Sequence, residues 1–152
     1  MFDLLCSPRL LDVIEQFIGP EIYSIPVQHT HVKIPETNMP DEVRSGLTGR
    51  IGWHQDSGVI TADADDMEIL TVWFLMTEAT LDNGCLAVVP GSHRDGVALH
   101  GLGRNALTMN QVSIPDQLMT SDHVPLLMQP GDVLFMHRHT RHCGLPNMSD
   151  RI

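Results

Sequence analysis

His54-Gln55-Asp56, together with a distant His142, supplies two imidazoles and a carboxylate that could share one divalent metal ion. Such a set can hold a ferrous ion on one face and leave its other positions open for a substrate and oxygen. On an extended strand, residues 54 and 56 point to the same side and can reach one ion, while Gln55 points the other way or sits at a bend. The spacing is not unique in the chain. With 9 His and 13 Asp, about one His-x-Asp is expected by accident, and His93-Arg94-Asp95 is a second match. That second pair follows Pro90-Gly91-Ser92 and precedes Gly96. These neighbours predict a turn and loop, a poorer support for a ligand pair than a strand. The third ligand stays open at this level, because His137, His139 and His142 all lie just beyond the apolar run 133–136. Two of the three must then face solvent or orient a ligating imidazole. Zinc activating a water for hydrolysis fits the same residue types, and a hydrogen-bonded surface pair is the reading without a metal.

The elements that must carry these residues follow from periodicity. Ser7-Pro8 followed by Leu10, Leu11, Ile14, Phe17 and Ile18 predicts a helix over 7–19, N-capped by Ser7, stopped by Gly19-Pro20 and packed on a sheet. Segments 23–32 and 69–76 are rich in β-branched and aromatic residues and are expected as strands, the second buried on both faces. Further short apolar runs at 86–89 and 133–136 are bounded by Gly, Pro, Asp or Asn. Many short strands joined by such turns favour a sandwich, barrel or jelly roll. Segments 36–50 and 95–123 have little periodicity and are expected as long surface connections, a common place for lids.

Composition removes several function classes. A chain of 152 residues, 42% hydrophobic, has the size of one domain or part of one. A formal charge of −10 with no basic stripe argues against nucleic-acid binding. Cys6, Cys85 and Cys143 are far apart and lack a C-x-x-C pair, which points to neither a disulfide framework nor a thiolate zinc site. The expected setting is reducing and cytoplasmic. No basic stretch leads into an apolar leader, and no apolar run reaches the ~20 residues that span a bilayer. Neither G-x-S-x-G, nor G-x-G-x-x-G after a strand, nor a P-loop is present.

Five ordered segments add a resemblance. Trp53-His54-Gln55-Asp56, Leu70-Thr71-Val72-Trp73, Asp82-Asn83-Gly84-Cys85-Leu86, Val89-Pro90-Gly91-Ser92-His93 and Gly131-Asp132-Val133-Leu134-Phe135-Met136-His137 together resemble the phytanoyl-CoA dioxygenase family over nearly the whole chain. The resemblance implies a mainly β fold, a double-stranded β-helix (jelly roll, cupin-like) with a flanking N-terminal helix. It implies an iron(II)- and 2-oxoglutarate-dependent dioxygenase that uses O2 to hydroxylate a small organic substrate, with decarboxylation of 2-oxoglutarate to succinate. Carried over residue by residue, it makes His54, Asp56 and His142 the iron ligands and leaves His137 and His139 as neighbours. Gln55 and Trp73 become 2-oxoglutarate contacts, by an amide hydrogen bond and by packing respectively. The His29, His31 and Lys33 alternation becomes a candidate lining of the cofactor pocket, and Asn83-Gly84 with Pro90-Gly91-Ser92 becomes turn architecture.

Two departures accompany the resemblance. Family members anchor the distal carboxylate of 2-oxoglutarate with an arginine about eleven residues after the third iron ligand, just past Ile152; Arg151 is out by two positions, which would keep strand parity, and is not taken as a substitute. They also carry further elements before Met1 and a last core strand after Ile152. The expectation is a single partial oxygenase domain over 1–152, a fragment with a 7–19 helix and a 22–152 jelly-roll core. A non-catalytic jelly-roll remnant binding a metal or small ligand, or a zinc-dependent hydrolase, would be the alternative.

Overall fold

The computed structural model describes residues 2–25, 28–37, 39–40, 51–64, 66–102, 112–119 and 122–152. A short helix α1 (Phe2–Leu5) leads into α2 (Pro8–Ile18). Pro8 opens α2, where its missing N–H costs nothing. Gly19 closes it at φ 83, donating its N–H to Glu15 O. The Ser7 side chain makes no capping bond; the Ser7 carbonyl instead accepts the N–H groups of Leu10 and Leu11.

Among the described residues seven strands follow: β1 (Leu70–Phe74), β2 (Leu86–Val88), β3 (Gly101–Leu102), β4 (Val112–Ser113), β5 (Val124–Pro125), β6 (Val133–His137) and β7 (His142–Gly144). All described pairings are antiparallel: β1 with β6, β5-β2-β7 as a second sheet, and β3 with β4. Residues 51–54 extend the second sheet beyond β7, where His54 bridges His142 and Gly144 N donates to Ile51 O. Strands distant in sequence are thus neighbours and alternate between two sheets, the crossing pattern of a jelly roll. Buried Leu86, Ala87 and Val89 on and beside β2, with Cys85, Cys143, Met136, Ile114 and Ile14, form the apolar interior.

Strand parity divides β1 and β6 into two faces. In the ladder Thr71 opposes Met136 and Trp73 opposes Leu134, whereas Leu70 opposes His137 and Val72 opposes Phe135. Met136 is buried, so Thr71 and Trp73 share the inner side. Phe135 is on the outer side, where Phe17 of α2 stacks on it at 5.9 Å between ring centroids. The helix packs on a sheet as expected.

Three expectations are corrected. Among the described residues, 23–32 forms no strand: Tyr23 and Ile25 are exposed, and no described strand pairs with them. β-Rich composition makes a strand only where an edge is offered to it. Segment 69–76 contributes β1, but its five residues are half-buried, and Met76 is exposed. Segment 95–123 is not without structure, since it holds β3, β4 and a 3-10 turn at Asp116–Leu118. Residues 41–50, 103–111 and 120–121 of the two expected connections lie outside the described residues.

The Asn83-Gly84 turn behaves as architecture. Asn83 Oδ1 accepts from Thr80 N at 2.7 Å and Nδ2 donates to Glu78 O at 2.7 Å. Gly84 has φ 85, and a Cβ there would stand 2.7 Å from Leu145 O. Both the left-handed backbone and the close approach therefore require glycine.

Candidate metal centre

Two histidines distant in sequence meet because a backbone bridge makes them opposite partners. His54 N donates to His142 O and His142 N donates to His54 O, each at 2.9 Å. Side chains of a directly opposed antiparallel pair emerge on the same face. The two rings accordingly lie 4.1 Å apart between centroids. Immediately after Gln55 the chain enters a 3-10 turn, Asp56–Gly58, which brings the carboxylate back over the pair. Asp56 Oδ1 stands 3.8 Å from His54 Nε2 and 3.7 Å from His142 Nε2. One ligand atom from each residue lies within 4.8 Å of the others, and among the described residues this is the only such group of three.

The hydrogen bonds around the group set which atoms face inward. Each ring's Nδ1 lies 2.9 Å from a carbonyl, Gly52 O for His54 and Thr140 O for His142. A carbonyl can only accept, so these partners assign the proton to Nδ1 and leave the Nε2 lone pairs toward Asp56. Thr71 Oγ1, on the inner face of β1, donates to Asp56 Oδ2 and leaves Oδ1 as the free end of the carboxylate. Burial, followed by the nearby His142, lowers the His54 pKa from 6.5 to about 4. At neutral pH His54 is therefore uncharged. Both Nε2 atoms and a carboxylate oxygen thus converge, an arrangement that a divalent cation satisfies. The donor set fits a facial two-histidine, one-carboxylate metal site, with the second ring nitrogens held as metal-ligating imidazoles usually are.

The turn is braced on its far side by Arg138, which is buried. Arg138 O accepts from Ser57 N at 3.1 Å and Ser57 Oγ at 2.9 Å. Its guanidinium donates to Ser57 Oγ at 3.4 Å, to Ala64 O at 3.1 Å and to Met67 O. Asp56 is thereby held between an anchored residue 54 and an anchored residue 57.

Of the three candidates, the structure brings His142 together with His54 and Asp56. His137 is exposed on the outer face of the β1–β6 ladder, and its Nδ1 accepts from His139 N at 3.0 Å. The His139 ring packs edge-on against His137 at 5.0 Å, and His93 lies 5.5 Å from His137, so these three gather away from the metal-binding group. Asp95 pairs with Arg141 at 3.3 Å. Arg151 is exposed and directed to Glu78 at 4.0 Å, which removes it as a substitute anchor inside the site.

The Gln55 amide is fully buried, with Nε2 donating to Gly96 O and His139 O and Oε1 accepting from Ala98 N. Trp73 shares the inner face with Thr71 and lies against His31 at 4.6 Å, and His29 is 6.0 Å from His31. Lys33 Nζ donates to Leu145 O at 3.0 Å and packs on Gly144, next to β7. The His31 pKa is lowered by burial first, then by His29, Lys33 and His142. His29 and His31 are exposed and Lys33 is half-buried, and among the described residues the early polar alternation forms no strand. Sequence reasoning missed Thr71 and Arg138. Thr71 was findable from parity, as the residue two before Trp73 in a strand; Arg138 gives no local signal.

The phytanoyl-CoA dioxygenase family profile matches residues 1–152. The chain belongs to that family. It is 30% identical over 107 residues to the phytanoyl-CoA dioxygenase of Arabidopsis thaliana, covering 70% of this chain and 36% of the relative. It is 30% identical over 140 residues to the human protein named phytanoyl-CoA dioxygenase, peroxisomal, covering 90% and 38%. The chain thus spans about two fifths of the length of these relatives. Among solved structures, EvdO2 of Micromonospora carbonacea var. aurantiaca, complexed with 2-oxoglutarate, aligns with a TM-score of 0.57 and 29% identity over 71% of this chain and 42% of that one. The non-heme monooxygenase ThoJ, in its apo form, aligns over 98% of this chain and 50% of its own with a TM-score of 0.66. At 19% identity it supports the jelly-roll fold alone.

Proposed function

We propose that this chain is the metal-binding core of an iron(II)- and 2-oxoglutarate-dependent dioxygenase that hydroxylates a small organic substrate with release of succinate. The observation that carries the reading is the convergence of His54 Nε2, His142 Nε2 and Asp56 Oδ1, each with its other polar atom already bonded. Family membership and the likeness to a 2-oxoglutarate complex favour iron over zinc.

In this reading His54, Asp56 and His142 hold Fe(II) on one face. The bound metal with 2-oxoglutarate supplies the oxidising chemistry by which O2 is spent on decarboxylation and on hydroxylation. The protein's own part is orientation and exclusion of water. Gly52 O and Thr140 O keep both imidazoles in the tautomer that ligates, and Thr71 keeps one carboxylate oxygen turned inward. Trp73 and His31 form an aromatic wall beside the site, suited to packing along a planar co-substrate. Lys33 brings a cationic ammonium to the edge of β7, suited to the charge of a dicarboxylate. The −10 charge and the absence of a basic stripe leave a small molecule as the substrate class. Phytanoyl-CoA itself is not implied, because fold and cofactor do not dictate substrate. Among the described residues no helix is long and apolar enough to cross a membrane. The three free cysteines suit a reducing compartment, the cytoplasm being our proposal; the human relative is named as peroxisomal.

The test is iron-dependent succinate formation from 2-oxoglutarate, with His54→Ala, Asp56→Ala and His142→Ala each expected to abolish it. Unchanged turnover in all three would overturn the assignment. Tight iron binding without any succinate would instead identify a metal-binding jelly roll without turnover.

A further inference from the structure

Gln55 stands between two of the proposed metal ligands and directs none of its polar atoms at the space they share. Its side-chain Nε2 donates to Gly96 O at 2.8 Å and to His139 O at 2.6 Å, and its Oε1 accepts from Ala98 N at 2.7 Å. Its backbone N–H donates to His100 Nε2 at 3.0 Å, and His100 Nδ1 donates to Ala98 O at 2.8 Å. The His100 ring lies directly on Gly58, where a Cβ would collide with it. Side chain and main chain of one residue are therefore both committed to 96–100. A further bond reaches residue 139, three before His142.

The other flank of the same connection returns to the same place. β4 ends at Ser113, and buried Ile114 donates its N–H to Trp53 O at 2.6 Å, one residue before His54. Segments 96–100 and 112–114 thus clasp residues 53–58 from two sides. An apolar residue would fill the same space without fixing a direction, whereas a buried amide must have its polar atoms bonded. Four hydrogen bonds specify where residue 55 sits, and hence how His54 and Asp56 are aimed.

We propose that Gln55 and His100 are positioning residues: they fasten the 96–100 segment to the metal-binding turn and thereby set His54 and Asp56 against His142. The inference rests on the reading of those three residues as metal ligands. By linkage, whatever shifts the 96–100 segment shifts metal affinity, and the metal in turn steadies the segment.

The experiment uses Co(II) as an optical probe together with hydrogen exchange on the metal-free protein. Gln55→Ala and His100→Ala are expected to weaken Co(II) binding by about 10- to 100-fold, the usual effect of losing a residue that orients a ligand, and to change the visible absorption of the bound ion. His100→Gln places an amide oxygen near the lost Nε2 and is expected to recover most of the affinity. Amide exchange at 54–57 is expected to rise in both alanine variants without metal. Folded variants with unchanged Co(II) affinity and spectrum overturn the proposal, even if their melting temperature falls. If Gln55→Ala does not fold, the His100→Ala and His100→Gln pair decides alone. Failure of the unsubstituted protein to bind Co(II) overturns the ligand reading itself, while the exchange data still report whether 96–100 holds the turn.

Discussion

His54-x-Asp56 and His93-x-Asp95 have the same residue types at the same spacing, and among the described residues only the first is joined by a third candidate ligand. His54 is paired by its backbone to His142, so a second imidazole is delivered to the same face. His93 lies in a 3-10 turn, Ser92–Asp95, that follows a left-handed Gly91, and nothing aligns its ring with its own aspartate. Asp56 is partly buried, held by Thr71 and backed by the Arg138 brace, whereas Asp95 has a side chain 57% exposed and faces Arg141. The difference teaches that a ligand pair is defined by what holds it. Anchors on both sides of Asp56, rather than the motif, create three converging donors.

Removing a donor should separate the two pairs most. Asp56→Ala or His142→Ala is expected to lower Fe(II) or Co(II) affinity by more than about 100-fold, beyond the loss typical of an outer orienting residue, while His93→Ala and Asp95→Ala leave it unchanged. Titration calorimetry under anaerobic conditions reads this directly, and metal loss in the His93 variant would erase the distinction. Arg138→Met tests the brace. It strips the guanidinium from two carbonyls and the Ser57 hydroxyl in a buried place and is expected to cost about 2–4 kcal/mol in urea unfolding.

Thr71→Val is the finer probe, since it keeps shape and removes only the bond to Asp56 Oδ2. A loss of about 10-fold or more in metal affinity is expected, with Thr71→Ser close to the parent. In the metal-free protein, His54 has a pKa of about 4 against 6.5 in the unfolded chain. The unfolded state then holds more protons between these values, so stability is present above pH 6.5 and falls as pH drops toward 4. His54→Gln should flatten that slope in urea melts at several pH values. The smallest effect belongs to the decoy: Asp95→Asn breaks an exposed pair and should change stability by less than about 1 kcal/mol. A larger value would mean that the Arg141–Asp95 contact supports β7 more than its exposure allows.

Much of the frame was legible in the chain itself. The Ser7-Pro8 start, the Gly19 stop and the apolar stripe between them specify α2, because capping and helical periodicity are local properties. The runs that became β1, β2 and β6 were readable for the same reason, as was the Asn83-Gly84 turn. The family segments selected His54, Asp56 and His142 where spacing could not. Segment 23–32 misled because strand formation depends on a partner edge, which composition does not encode. The partners of Gln55 were not legible, because its neighbours in sequence are candidate ligands while its neighbours in space are the backbone of 96–100 and 139.

Local chemistry in the sequence thus determined which residues are able to ligate and which segments are able to become helix, strand or turn. Tertiary structure alone decided how His142 is brought against His54, which oxygen of Asp56 is free and where Gln55 turns. Those outcomes depend on backbone pairing between residues 54 and 142, on the bond from Thr71 to Asp56 Oδ2, and on contacts over some forty to eighty residues between Gln55 and its partners. Each is a long-range hydrogen bond whose partner is specified by the closed fold, so no reading of neighbours along the chain could supply it.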